Sequence, residues 1–304
     1  MHIVIPGAWP DPEVATELAP HLVQRAPTLA RWLGQGKARI TPSLAAETWC
    51  LPAEHWLLQA RGFQALETEH LSAGLGPLRG QAHDDDPVWL AELIHMAPSR
   101  DGAALLPADT LAITDEQSRA LLLSAQAELE DSGLQLDYLR PDVWRVRWPQ
   151  PVRIPCASPA LVAVSSVNDW WPQQTEARPW RRLVNSLQMA WFEHPVNQAR
   201  QRQGQAPVNS LWLYGGARAS QLSRPLPDGL LIDERLQPLA AAQRWGEWLD
   251  ALAALDAQCL APRAQEPAPV LVLTSRERYV EVTVRSGWFA RWHTQDWRRW
   301  WCSR

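Results

Sequence analysis

Apolar and polar positions along the chain fall into two rhythms. HIVIPG (2 to 7) is an unbroken β-branched run closed by Pro-Gly, the pattern of a strand buried on both faces. Similar compact runs recur as LVAVSSV (161 to 167), as SLWLYGG ending at Gly216, and as VLVLT (270 to 274), so each is predicted to be a buried strand. Helical spacing fills the intervals. Leu18, Leu22, Leu29, Trp32 and Leu33, with prolines at 20 and 27, predict two short helices, the second starting near Pro27 and stopping at Gly34 or Gly36. AAETWCLPAEHWLLQARG predicts one more helix, and QRWGEWLDALAALDAQCL another. In PWRRLVNSLQMAWFEH, Leu183, Leu187 and Trp191 keep helical spacing until Pro195 interrupts; His194 is then placed to cap a second helix, VNQARQRQ, ending at Gly204. Strands alternating with helices predict an α/β sheet core flanked by helices.

Residues 83–150 read as a compact α+β insertion of their own. An extended VWLAELIHM precedes a helix from about Thr114 to Asp131, and LQLDYL and VWRVRW follow, joined by Arg-Pro-Asp. Thr114 with Gln117 three residues later is a capping-box pattern, and Gly133 supplies a stop. The expected division is a core of 1–82 with 151–304, and the insertion between them.

Composition narrows the function. The 304 residues are 46% hydrophobic and 20% charged, ordinary for a globular chain, whereas 26 Pro and 19 Trp against 3 Phe and 3 Tyr are not. A net charge of -4 gives no global attraction to nucleic acid or to an anionic membrane. Lys37 is the sole lysine among 29 basic residues, which leaves almost no candidate for Schiff-base or phosphate-loop chemistry. Cys50, Cys156, Cys259 and Cys302 lie far apart with no Cys-x-x-Cys pair, so free thiols in a reducing cytoplasm are expected. The N-terminal apolar run is too short for a signal peptide and no run approaches a membrane span, so the expected location is cytoplasmic, with no membrane partner.

Few motifs carry chemistry. GQGK at 34 to 37 fails as a phosphate loop, because Arg31 and Ala38 stand where glycine and Ser or Thr are needed. HDDDP (83 to 87) has metal-ligand types, yet adjacent carboxylates do not all converge on one ion and suit a solvated loop better. The tail from Trp288 to Arg304 interleaves Trp with Arg291, Arg298 and Arg299 and could stack bases. Trp288 with Trp292, and Trp297 with Trp301, are four apart, which favours a core-facing helical edge. His194, Asn197 and Arg200 are spaced by three and could meet an anion at a helix start, or hold a corner together with Asn209.

The block NSLQMAWFEHPVNQARQRQGQAPVNSLWLYGG resembles the shared block of bacterial RpfE-type regulatory proteins and, more distantly, of archaeal cofactor-independent phosphoglycerate mutases, which have a similar His-Pro-Val-Asn element and a Pro-Ala-Asn-x-x-Trp-x-Trp-Gly run. DDDPVWLAELIHM with LAITDEQSRALL resembles that family's inserted domain, and APTLARWLGQG its early helix. The resemblance implies an alkaline-phosphatase-like α/β fold. It also implies two divalent metals held by Asp and His and a phosphoryl-carrying serine in the mutases, and here the pattern departs. Pro6 stands near the metal-ligand Asp after the first strand. Ser275, Arg276 and Glu277 follow VLVLT where Asp-His-Gly is expected, and Leu90 and Glu92 take the places of the substrate-binding Arg and Asn. Ser43 is the nearest early serine, without an evident activator.

The expectation is a relative without catalytic residues, metal or other cofactor, in a regulatory role that binds a small phosphorylated ligand or a protein partner. The ligand-binding candidates are His194, Asn197, Arg200, Asn209 and Trp212. The alternatives are a phosphate-ester mutase or phosphatase with a divergent metal site, and a nucleic-acid or protein module acting through the Trp/Arg tail.

Overall fold

The computed structural model describes residues 1–81, 84–100, 102–129, 132–285 and 295–303. Its strands, in chain order, are β1 His2–Ile5, β2 Gly36–Pro42, β3 Trp89–Ser99, β4 Gly102–Leu106, β5 Gln135–Arg140, β6 Val143–Arg147, β7 Ser210–Gly215, β8 Leu230–Ile232, β9 Val270–Thr274 and β10 Arg278–Val284. The chain divides into two compact units, one of Met1–Ala45, Leu51–Ala60 and Pro225–Arg304, the other of Ala46–Cys50 and Arg61–Arg224.

The first unit is built on a sheet of order β2-β10-β9-β1-β8. β1 runs parallel to β8 and β9, while β10 is antiparallel to β9 and β2. Why β1 and β9 carry unbroken apolar runs follows from the layers. Ile3, Ile5, Leu271 and Leu273 face the helices Pro12–Arg25, Pro27–Gln35 and Trp245–Leu255 through Leu18, Leu22, Leu29, Trp248 and Leu252. Val4 and Val272 face the other way, against Ala53 and Trp56 of the Pro52–Ala60 helix. With both faces covered, alternation has no polar side to show, and each fully buried Leu, Ile or Val contributes roughly 1.5–3 kcal/mol. The Pro27–Gln35 helix starts at Ala26, which has no capping side chain. Asp256 substitutes from a distant part of the chain, accepting from the backbone N–H of Thr28 at 3.3 Å and Leu29 at 2.8 Å.

The second unit is antiparallel. Residues 89–94 of β3 lie between β6 and β7, and residues 95–99 turn back onto β4; β5 and β6 form a hairpin with an irregularity between Tyr138 and Arg140. Indole N–H groups tie helices to one face. Trp144 donates to Ser118 and Trp191 to Ser124, each at 2.9 Å, and the two rings meet edge to face at 5.9 Å. The helix Asp115–Ala127 carries the predicted Thr114/Gln117 capping box.

Several boundaries differ from expectation. The second unit takes in far more than 83–150, because six residues of β7 pair with β3 and bring the Arg178–Phe192 and Pro195–Arg202 helices with them. LVAVSSV is not a strand: Pro159–Ala163 is helical, since Pro159 favours a first turn and Ser158 Oγ accepts from the Leu161 N–H at 3.2 Å. The segment after residue 44 is two helices, Ala45–Thr48 and Pro52–Ala60. β2, β4, β8 and β10 are not among the predicted strands. His83, Trp288, Arg291 and Trp292 lie outside the described residues.

Candidate functional site

The corner from His194 to Trp212 folds as its sequence suggests. His194 caps the Pro195–Arg202 helix, its Nδ1 accepting from the Val196 N–H at 3.2 Å, and burial holds the imidazole below its ordinary range. Asn197, 1% exposed, donates through Nδ2 to the carbonyls of Trp191 and Val208 and accepts at Oδ1 from the Val208 N–H, all at 2.8 Å. Arg200 is equally buried. It donates from Nε to Ala206 O at 2.8 Å, from Nη1 to Gln117 Oε1 at 2.8 Å and from Nη2 to Leu111 O at 2.5 Å. Asn209 copies a strand residue with its amide, accepting from the Met96 N–H at 2.7 Å and donating to Met96 O at 2.9 Å. Trp212 donates to Ala157 O at 2.9 Å from a buried ring. These residues are brought together by the chain, but apart from the Arg200–Gln117 bond their described hydrogen bonds go to backbone. The Asn197 amide and the Arg200 fork bind the helix, the loop before β7 and the start of the Asp115–Ala127 helix into one corner.

A serine–histidine pair that the spacing gives no hint of lies in the first unit. Ser43 Oγ is 2.9 Å from His55 Nδ1, and His55 Nε2 is 2.9 Å from Gln59 Nε2. Proton direction decides what this pair can do. Tyr279 donates to Gln59 Oε1 at 2.5 Å, which turns the amide so that its NH₂ donates to His55 Nε2, leaving Nδ1–H to donate to Ser43. The imidazole therefore offers Ser43 no lone pair, whereas an activating base must accept the hydroxyl proton. Ser43 is 1% exposed, and burial keeps His55 below its ordinary range and neutral. The chain of bonds is a strut that ties Ser43 and Tyr279 to the Pro52–Ala60 helix.

The carboxyl ends of β1 and β9, where a parallel sheet usually binds its ligand, are followed by Pro6 and Ser275, and the segment after β1 is tied to Thr274. The Gly7 N–H donates to Thr274 Oγ1 at 3.1 Å and the Trp9 N–H to Thr274 O at 3.0 Å. Trp9, 1% exposed, donates from Nε1 to Trp301 O at 2.8 Å, meets Trp300 edge to face, and lies 4.2 Å under the Arg278 guanidinium. Trp297 and Trp301 are buried in the same core, at right angles and 5.6 Å apart. Among the described residues no three His, Cys, Asp or Glu side chains gather as a metal site. Asp84, Asp85 and Asp86 are exposed, and Asp85 is held below the usual carboxylate range by the backbone and hydroxyl of Ser220.

On the second sheet, register puts Leu90 beside Tyr214 and Arg145, and Glu92 beside Trp212 and Val143, all on one face. Desolvation pushes the Glu92 carboxyl up to about 7, although it accepts from the Ala108 N–H at 3.2 Å and feels Arg79. Burial also pushes the Tyr214 phenol up to about 12, and its Oη has no hydrogen-bond partner among the described residues. Alternation in VWLAELIHM signals that Leu90 and Glu92 share a face, but nothing local signals Tyr214 as their neighbour.

Two sheets flanked by helices, one with a parallel centre and one antiparallel, define a mixed α/β protein. The chain is similar to proteins named as cofactor-independent phosphoglycerate mutases. It is 24% identical over 156 residues to a probable 2,3-bisphosphoglycerate-independent phosphoglycerate mutase of Geobacter sulfurreducens, a stretch that spans half of this chain and 38% of the relative. No family model matches it. Among solved structures it is similar to the cofactor-independent phosphoglycerate mutase from Thermoplasma acidophilum at 15% identity and a TM-score of 0.33, covering 94% of this chain and 89% of that one. The PH0037 protein from Pyrococcus horikoshii is similar at 12% identity and a TM-score of 0.47, covering 93% and 86%.

Proposed function

We propose that the chain is a non-catalytic relative of these mutases that acts in a regulatory role by binding a small phosphorylated ligand or a protein partner. The observation that supports the reading lies at the end of the first sheet: Pro6 and Ser275 stand where the family resemblance places metal ligands, and the nearby Trp9 is buried under Arg278 and bonded to Trp301. Proline has no atom with which to hold a cation there, and a phosphoryl-transfer site needs cations to offset developing charge. The buried Ser43, bonded by a histidine that donates to it, supports the same conclusion.

A cytoplasmic setting belongs to this reading. No helix among the described residues is long and apolar enough to cross a membrane, and all four cysteines are free thiols. The test is interconversion of 2- and 3-phosphoglycerate, and hydrolysis of p-nitrophenyl phosphate, with added Mn²⁺, Mg²⁺ or Zn²⁺. No turnover above buffer is expected; turnover that a chelator abolishes overturns the proposal. A thermal-shift screen of phosphorylated metabolites then separates ligand from partner, since a ligand that binds only the folded chain raises its melting temperature.

A further inference from the structure

Within the second unit, a cavity of about 290 Å³ lies among the start of β3, the end of β6 and the segment after it. Two indoles form its apolar wall, Trp89 and Trp148, with ring centroids 6.1 Å apart at 64°. Pro149 and Pro151 stiffen the side that follows Trp148, because each fixes its own φ. Gly216 holds Trp89 in place: its φ is 110°, and a Cβ there would stand 2.5 Å from the Trp89 ring.

The charges around this cavity are arranged unusually. Arg145, Arg147 and Arg218 line it together with Asp84 and Asp86. Arg147 is paired at 2.6 Å with Asp137, which is not part of the lining. Arg145 instead donates to the carbonyl of Gln81 at 2.7 Å, and Arg218 to the carbonyl of Asp85. A carbonyl orients a guanidinium without cancelling its charge. Among the described residues no ion pair joins either arginine to Asp84 or Asp86. Among the described residues, the buried Arg145 Nε and Trp148 Nε1 N–H groups in addition find no acceptor.

Arg145 and Arg218 thus line one cavity with Asp84 and Asp86 without an ion pair between the two sets among the described residues, although Arg218 also lies close enough to the Asp85 carboxylate to help lower it. A plain anion that reached the arginines would also meet the aspartates, and a plain cation the reverse. A ligand bearing both charges gains charge-assisted hydrogen bonds from both sets. The indole wall adds preference for a flat apolar body, and the volume sits near the lower end of small-molecule sites. We propose that this cleft binds a small zwitterion with a flat ring, of the class of a free aromatic amino acid, its carboxylate on Arg145 and Arg218 and its ammonium on Asp84 and Asp86. The inference is independent of whether the chain turns over phosphate esters.

Calorimetry on the full chain with L-tryptophan and L-phenylalanine tests it, against 3-phenylpropionate, phenethylamine, L-alanine and inorganic phosphate. One of the two amino acids is expected to bind, with removal of the ammonium, the carboxylate or the ring each weakening binding by about tenfold or more. Arg145→Gln and Arg218→Gln should each weaken binding by a similar factor, whereas Arg25→Gln in the first unit should leave it unchanged. Arg218 is exposed, so its variant retains the fold, which a melting curve verifies. Absence of binding by both amino acids overturns the proposal. So does 3-phenylpropionate binding as tightly as L-phenylalanine, binding that neither arginine variant alters, or inorganic phosphate occupying the site in preference to the amino acids.

Discussion

The corner from His194 to Trp212 and the cleft between Trp148 and Arg218 belong to the same unit and draw on the same residue types, but the corner's groups bond acceptors from several distant segments, while each arginine of the cleft meets a single backbone carbonyl among the described residues. Asn197 and Arg200 are 1% exposed and make three hydrogen bonds each, while among the described residues the Arg145 and Arg218 guanidiniums each bond one backbone carbonyl beside a cavity. Residue identity does not separate a strut from a binding group. What separates them is whether acceptors are supplied from within the chain, and that is decided by residues far away in sequence, such as Leu111 and Gln117 for Arg200.

The sharpest way to break this contrast is to remove a strut. Asn197→Leu leaves the Val208 N–H without its acceptor and removes a donor from the Trp191 and Val208 carbonyls, and Arg200→Met removes a donor from three acceptors; each is expected to cost about 3 kcal/mol, read as a lowered urea midpoint at unchanged slope. A cost under about 1 kcal/mol would mean that water replaces these bonds readily and that the corner is more open than its burial indicates.

Next in size is Gly216→Ala, which acts on the boundary between the two regions. The new methyl meets the Trp89 ring at a backbone angle that L-residues avoid, so a loss of about 2 kcal/mol is expected together with weaker binding in the cleft. Unchanged binding in a destabilised variant would show that Trp89 is not part of the binding wall.

How far the sequence reveals these features varies by element. The His194 cap, the Thr114 capping box and the β1 and β9 strands are visible because their causes are local: a proline, a box of two residues, a β-branched run. β10 shows the alternation of Tyr279, Val280, Glu281 and Val282, yet it lacks the continuous apolar run by which β1 and β9 are recognised, because Glu281 is held by the Trp56 indole. LVAVSSV misleads for the opposite reason, its β-branched residues outweighed by one serine cap and one proline. The pairing of Ser43 with His55, and the cleft itself, depend on contacts between segments with no common pattern, so neither is legible before folding.

Glu92 offers a subtler effect, set by pH. Its folded carboxyl titrates near 7, above the unfolded value, so the folded state binds the extra proton and its contribution, full below about 4.5, is lost as pH rises through 7. Glu92→Gln should be more stable than the parent by about 1 to 2 kcal/mol at pH 8 and no better at pH 5. Buried histidines act in the opposite direction. His55, His70, His95 and His194 are held below their ordinary range by burial, so their contribution is present above about 6.5 and falls away as pH drops below it. Urea midpoints for the parent and Glu92→Gln between pH 5 and 8 separate the two trends; parallel curves would remove Glu92 from the account.

The smallest expected change in stability is the most discriminating. Arg218→Gln removes an exposed side chain whose described hydrogen bond goes to a single carbonyl of the neighbouring loop, so the urea midpoint should move by no more than about 0.5 kcal/mol. If the arginine were a strut like Arg200, the loss would resemble that of the corner variants, since stranded buried acceptors carry most of such a cost. A near-zero change in stability joined to a large loss of zwitterion binding would place Arg218 among the groups that the fold holds in reserve. A loss of stability comparable with Arg200→Met would instead make the cleft a second corner, and the difference between the two regions would disappear.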